Sequence, residues 1–109
     1  MAKSKIKKSE VFEYSAETLG AIVLQRFGNI RILVTNNGLV SDVIQTLPTT
    51  DKPKYRISSV CVVSSNNQTQ TIGIGVIEIT NAGVVRIILN GTDQVESTYR
   101  VRGSAVWVV

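Results

Sequence analysis

The sequence predicts an all-β domain, an antiparallel β-sandwich of the jelly-roll or Greek-key kind with about seven to eight strands. Three observations carry that prediction. From Leu19 onward, short runs rich in valine, isoleucine and threonine alternate with breaks containing glycine or asparagine. No stretch reads as a helix, and leucine and alanine, the strong helix formers, are sparse. Both prolines, Pro48 and Pro53, fall within the single segment IQTLPTTDKPKYRISS. Proline lacks a backbone donor and is kept out of sheet centres, so this segment reads as a shaped loop between two strands.

The elements follow in order. VFEYS near the N-terminus is a possible extra strand, with a short helical turn over residues 15–19, capped by Ser15, as the alternative. AIVLQRF and IRILVT flank Gly28-Asn29, a two-residue linker that tolerates positive φ and so predicts a tight hairpin. Asn36-Asn37-Gly38 reads as a turn into a further strand, LVSDVIQTL. After the proline loop come YRISSVCVVSS and the polar break SSNNQTQ. TIGIGVIEIT and VVRIILN then flank Asn81-Ala82-Gly83 as a second hairpin. NGTDQVE is a polar loop, and STYRVRGSAVWVV closes the chain as a long strand.

The 109 residues fit one domain with one modest core. Residues 1–18 read as a basic N-terminal arm and residues 19–109 as the β-domain. Four of the twelve basic residues, Lys3, Lys5, Lys7 and Lys8, precede the first acid, which leaves eight bases against eight acids over the rest. Nucleic-acid binding needs concentrated positive charge, so the neutral body argues against it and confines any polyanion affinity to the arm. No segment approaches the roughly 18 apolar residues that span a bilayer, and no signal-peptide pattern is seen, so neither membrane insertion nor Sec-type export is expected. A single cysteine, Cys61, cannot form an internal disulfide, and its valine neighbours predict a buried, inert side chain.

Chemistry is scarce. The chain has no histidine, which excludes Ser-His-Asp and Cys-His catalysis and most zinc sites. The carboxylates Asp42, Asp51, Glu78, Asp93 and Glu96 are scattered without metal-binding spacing, so no enzyme, metal or cofactor is expected. Gly73 and Gly75 form a GxG inside an apparent strand, with no following helix to hold phosphate. They read as a place where another backbone comes close. Exposed aromatics beside polar groups suit a sugar ring, which has an apolar face and a hydroxyl rim. On that ground Tyr55 and Arg56, Asp93, and Tyr99 with Arg100 are the candidate ligand contacts. The closing strand is apolar on both faces around Val106, Trp107 and Val108, which marks those residues as core or oligomer interface and predicts a homo-oligomer.

The order of features also carries a resemblance. R-F-G-N-I-R-I (Arg26–Ile32), T-L-P (Thr46–Pro48) with Pro53 five residues on, I-E-I-T-N-A-G-V-V-R-I (Ile77–Ile87) and a final Y…G-S-A-V-W-V follow one another. This combination, spanning residues 21–109, resembles the C-terminal head domains of bacteriophage tail-fibre and baseplate receptor-binding proteins. The resemblance implies a trimeric β-sandwich head that recognises host cell-wall saccharide, performs no catalysis, is assembled in the host cytoplasm and resides in the virion. It departs from the family in having only a short segment before the domain, which leaves the arm as a contact for another virion protein. The alternative expectation is a structural virion protein, a capsid decoration protein or baseplate adaptor, without a sugar site.

Overall fold

The computed structural model describes residues 13–109, in which seven strands are joined by hairpins, a short helix and a single 3-10 turn. The strands are β1 (Tyr14–Leu19), β2 (Ile22–Phe27), β3 (Ile30–Leu39), β4 (Ile57–Ser64), β5 (Thr71–Ile79), β6 (Val85–Leu89) and β7 (Arg100–Val108). The helix α1 covers Val40–Val43, and the 3-10 turn covers Thr49–Asp51. All strand pairs are antiparallel, and the spatial order is β1-β2-β3-β7-β4-β5-β6. The fold is therefore all-β and sandwich-like. The subset β7-β4-β5-β6 is a Greek key, with three hairpin-linked strands and a fourth that returns beside the first.

The predicted hairpins form where glycine permits them. Gly28 takes φ +58° in the β2–β3 turn, and Gly83 takes φ +85° in the β5–β6 turn. Elsewhere the local reading is corrected. LVSDVIQTL is not a strand: Val40 and Val43, three residues apart, both bury on one side, and the Val40 N–H donates to the Tyr99 carbonyl at 2.8 Å. That pairing curls the chain into α1. Thr46 later forms one isolated bridge with Val84, and the Val85 N–H of β6 donates to the Gln45 carbonyl at 2.8 Å. Asn36-Asn37-Gly38 is not a turn but a bulge within β3, which stays paired to β7 on both sides of Asn37. Residues 15–19 are strand, paired to β2 along their length, so residues 14–18 belong to the sheet. The lysines of the arm and Val11 and Phe12 lie outside the described residues.

One face of the sheet closes on a single core in which Ile22, Leu24, Leu33, Ile77, Ile87 and Val101 are fully buried. Cys61 lies there too, and burial pushes its thiol pKa up, which keeps it protonated and unreactive. Gly75 fits because it has no side chain: a Cβ there would lie 2.7 Å from the Ile88 carbonyl oxygen and 3.2 Å from Val63. The expected close backbone approach is thus real and lies within the chain. Gly75→Ala should lower stability by about 1–3 kcal/mol by forcing β5 and β6 apart. A chemical-denaturation midpoint equal to that of the wild type would contradict this.

The opposite face is also partly apolar. Register places Val34 beside Val23, Ile32 beside Val106, Val62 beside Ile74, and Val76 between Val60 and Ile88. Of these, Val60 (68%), Ile74 (72%) and Val106 (62%) are largely exposed. The exposed apolar side chains thus lie on β4, β5 and β7.

Candidate functional site: a cleft where the sheet divides

The site begins with a mismatch in strand pairing. β3 pairs with β7 from Ile30↔Val108 to Leu39↔Arg100, yet β4 pairs with β7 only from Cys61↔Gly103 to Ser64↔Arg100. Beyond Gly103, residues 104–108 keep β3 on one side and, among the described residues, have no strand on the other. Ser59 still reaches across, its hydroxyl donating to the Ser104 carbonyl, and past that point β4 and β7 part. A cleft of about 290 Å3 opens there, lined by Pro53, Lys54, Tyr55 and Ile57 on one wall and by Val106, Trp107 and Val108 on the other.

The first wall is the proline loop, and a buried ion cluster holds it. Asp51, at the end of the 3-10 turn, is 0% exposed. Arg26 grips its carboxylate with two bonds, Nε to Oδ1 at 2.9 Å and Nη2 to Oδ2 at 2.8 Å, and Arg31 Nε donates to Oδ1 at 2.6 Å. Arg26 also donates to Glu17 at 2.7 Å, and Arg31 Nη1 donates to the Gly28 carbonyl at 2.7 Å. These bonds, led by the one from Arg26, hold the Asp51 carboxyl below the usual carboxylate range and raise the Arg26 guanidinium above its own. On the second wall, the buried Trp107 indole donates Nε1–H to the Asp51 carbonyl at 2.8 Å. The two walls therefore meet at Asp51. Pro53 is itself buried, and the Leu47 N–H donates to the Gly83 carbonyl at 2.8 Å, so the loop is tied at both ends.

Sequence reasoning did not single out Arg26, Arg31 or this use of Asp51. A signal was present. Arg26 and Arg31 stand symmetrically about Gly28-Asn29, so the predicted hairpin makes them a cross-strand pair, as observed. Like charges directly opposite one another repel and call for a shared anion.

The predicted contacts divide among several places. Tyr55, 80% exposed, stands at the cleft mouth beside Lys54. Arg56 does not line the cleft; its Nε lies 3.7 Å from Glu78, which Arg86 holds at 2.6 Å. Asp93 lies 3.8 Å from the same Arg86, at the far end of that charge chain. Tyr99 packs against the core and accepts the α1 hydrogen bond. Arg100 is a clamp, with Nε on the Asn66 carbonyl at 2.7 Å and Nη1 on the Asn37 carbonyl at 2.9 Å. Val106, Trp107 and Val108 separate by strand alternation: Trp107 turns into the core, and the two valines face outward.

The residues lining the cleft include no acid, thiol or imidazole, and their ionisable side chains are Lys54 and Tyr55. Among the described residues no group of three or more potential metal ligands occurs, and no helix is long and apolar enough to cross a membrane. No protein-family model matches the chain, and no curated protein matches it.

Proposed function

We propose that the chain is a binding module of a phage or phage-like tail tip or baseplate, a trimer that recognises host cell-wall saccharide and performs no catalysis. The observation that carries the reading is the cleft, where an exposed tyrosine ring and a lysine face an apolar strip of Val106 and Val108. A sugar ring stacks its apolar face on such a surface and turns its hydroxyls to the polar rim. The apolar outer face of the sheet supplies the surface on which subunits join. The order of motifs described for the phage head domains supports the same reading, and the basic arm is left to contact a second virion protein.

Tyr55→Ala should weaken binding to cell-wall fragments about tenfold or more, a loss of roughly 1.4 kcal/mol, with unchanged melting because the ring is exposed. Binding measured on immobilised fragments or a glycan array checks it. Wild-type protein that is folded and trimeric yet binds no fragment overturns the saccharide reading. Light scattering that finds only monomer at micromolar concentration overturns the assembly.

One observation favours a structural virion component instead. Val106 and Val108 belong both to the cleft and to the outer apolar face, so a neighbouring subunit seated on that face would cover the cleft. A capsid decoration protein or baseplate adaptor would show that arrangement, and a trimer with the Tyr55 ring buried from solvent identifies it.

A further inference from the structure

A second concavity lies on the outer face, where β4 and β5 meet at their connecting loop and β7 runs alongside. It is lined by Asn37, Val62, Ser64, Gln68, Thr71 and Arg102 and encloses about 100 Å3. At roughly 30 Å3 per water, that is room for about three waters or one oxyanion-sized group. Its character is opposite to that of the cleft, since five of its six lining residues are polar.

Register explains how these side chains converge. Arg102 faces Val62 on β4 and Asn36 on β3, and Ser64 faces Thr71 across the β4–β5 pair. The β3 bulge lifts Asn37 out of line at φ +61°, and Gln68 turns into the loop at φ +62°. Arg100 then braces both rims, since its two bonds end on the Asn66 carbonyl of the loop and the Asn37 carbonyl of the bulge. The frame is thus fixed without using the inward groups. Among the described residues, Arg102, Ser64, Gln68 and Thr71 make no side-chain hydrogen bond, and Arg102 has no ion pair.

Arg102 therefore brings one guanidinium group to a polar basin whose lining residues include no carboxylate. Of the other arginines, Arg26, Arg31, Arg56 and Arg86 each lie in ion-pair range of an acid, and Arg100 is engaged by the Asn66 and Asn37 carbonyls. An unmatched fork beside two hydroxyls and two amides is a donor-rich arrangement, and its natural complement is an oxyanion with several lone pairs. Arginine presents paired N–H groups that fit the two-oxygen edge of a carboxylate or phosphate. Ser64, Thr71 and the amides can serve the remaining oxygens or hydroxyls nearby.

We propose that this basin is an anion subsite that takes a carboxylate or phosphate group borne on a small hydroxylated ligand, with Arg102 as the charge-bearing contact. The inference does not rest on saccharide binding at the cleft. Titration of the full chain with methyl glucuronide, glycerol phosphate and neutral methyl glucoside, followed by amide NMR, tests it. The expected result is that one or both anions shift the Gln68 and Thr71 signals, more weakly at high salt, while the neutral glycoside does not. Which anion binds identifies the source of the charge. Arg102→Gln should weaken that binding about tenfold or more, and Arg102→Lys should retain part of it. Arg102 is exposed, so both variants should melt as the wild type does. Equal binding of the neutral glycoside, affinity for the anions unchanged in Arg102→Gln, or no response to either anion overturns the proposal. Because the probes are small anions, this result stands apart from whether cell-wall fragments bind.

Discussion

Asp51→Ala should lower the stability of the domain by about 3 kcal/mol, measured by urea denaturation at neutral pH. The carboxylate is fully buried, and it is the shared partner of two arginines whose side chains are themselves 22% and 10% exposed. Removing it leaves two guanidinium groups facing each other across the β2–β3 pair with nothing between them. Breaking a buried pair costs about 3–5 kcal/mol, and the lower end applies because Arg26 is partly exposed and keeps Glu17. Asp51→Asn keeps the shape and loses the charge, so it should fall between the alanine variant and the wild type. The pH dependence follows in sign. The folded-state carboxyl titrates below its unfolded value of about 3.9, so its stabilisation is complete above that pH and is lost as pH falls through the folded value. Wild-type stability should therefore drop below about pH 4 more steeply than that of Asp51→Asn. Parallel curves for the two proteins would remove the ion cluster from the account.

Trp107→Ala should cost about 4 kcal/mol, because a large buried ring is replaced by a cavity beside the core. Trp107→Phe separates the two contributions of the indole. Most of the buried area remains, while the Asp51 carbonyl loses its donor, so about 1–2 kcal/mol is expected. If phenylalanine were as damaging as alanine, the hydrogen bond rather than the burial would dominate. Either variant also loosens the wall of the cleft, so ligand binding should be measured on the phenylalanine form.

Much of the architecture was legible in the residues because it is local. The Gly28-Asn29 and Asn81-Ala82-Gly83 hairpins, the strand character of TIGIGVIEIT and the loop nature of the proline segment each depend on neighbours in sequence. What escaped depends on distant partners. LVSDVIQTL has enough β-branched residues to pass for a strand, yet it holds α1, whose first N–H donates to the carbonyl of Tyr99, more than half the domain away in sequence. Asp51 looks like any polar loop residue until a hairpin 20 to 25 residues earlier delivers two arginines to it. At the sites the same rule holds. Tyr55 was readable as an exposed aromatic in a basic setting, whereas Arg100 and Arg102 look alike in sequence. Only the placement of Asn37 and Asn66 makes one of them a brace and leaves the other unengaged.

The position of β7 in the strand order has a consequence for the growing polypeptide. The first three strands form one meander and β4, β5 and β6 another, and among the strands of the described residues β7 alone pairs with both. β7 is translated after both. Without residues 100–108 in place, β3 and β4 would each present an open inner edge. Those edges are the surfaces most prone to pair with a neighbouring nascent chain, and the insertion of one strand between them closes both at once.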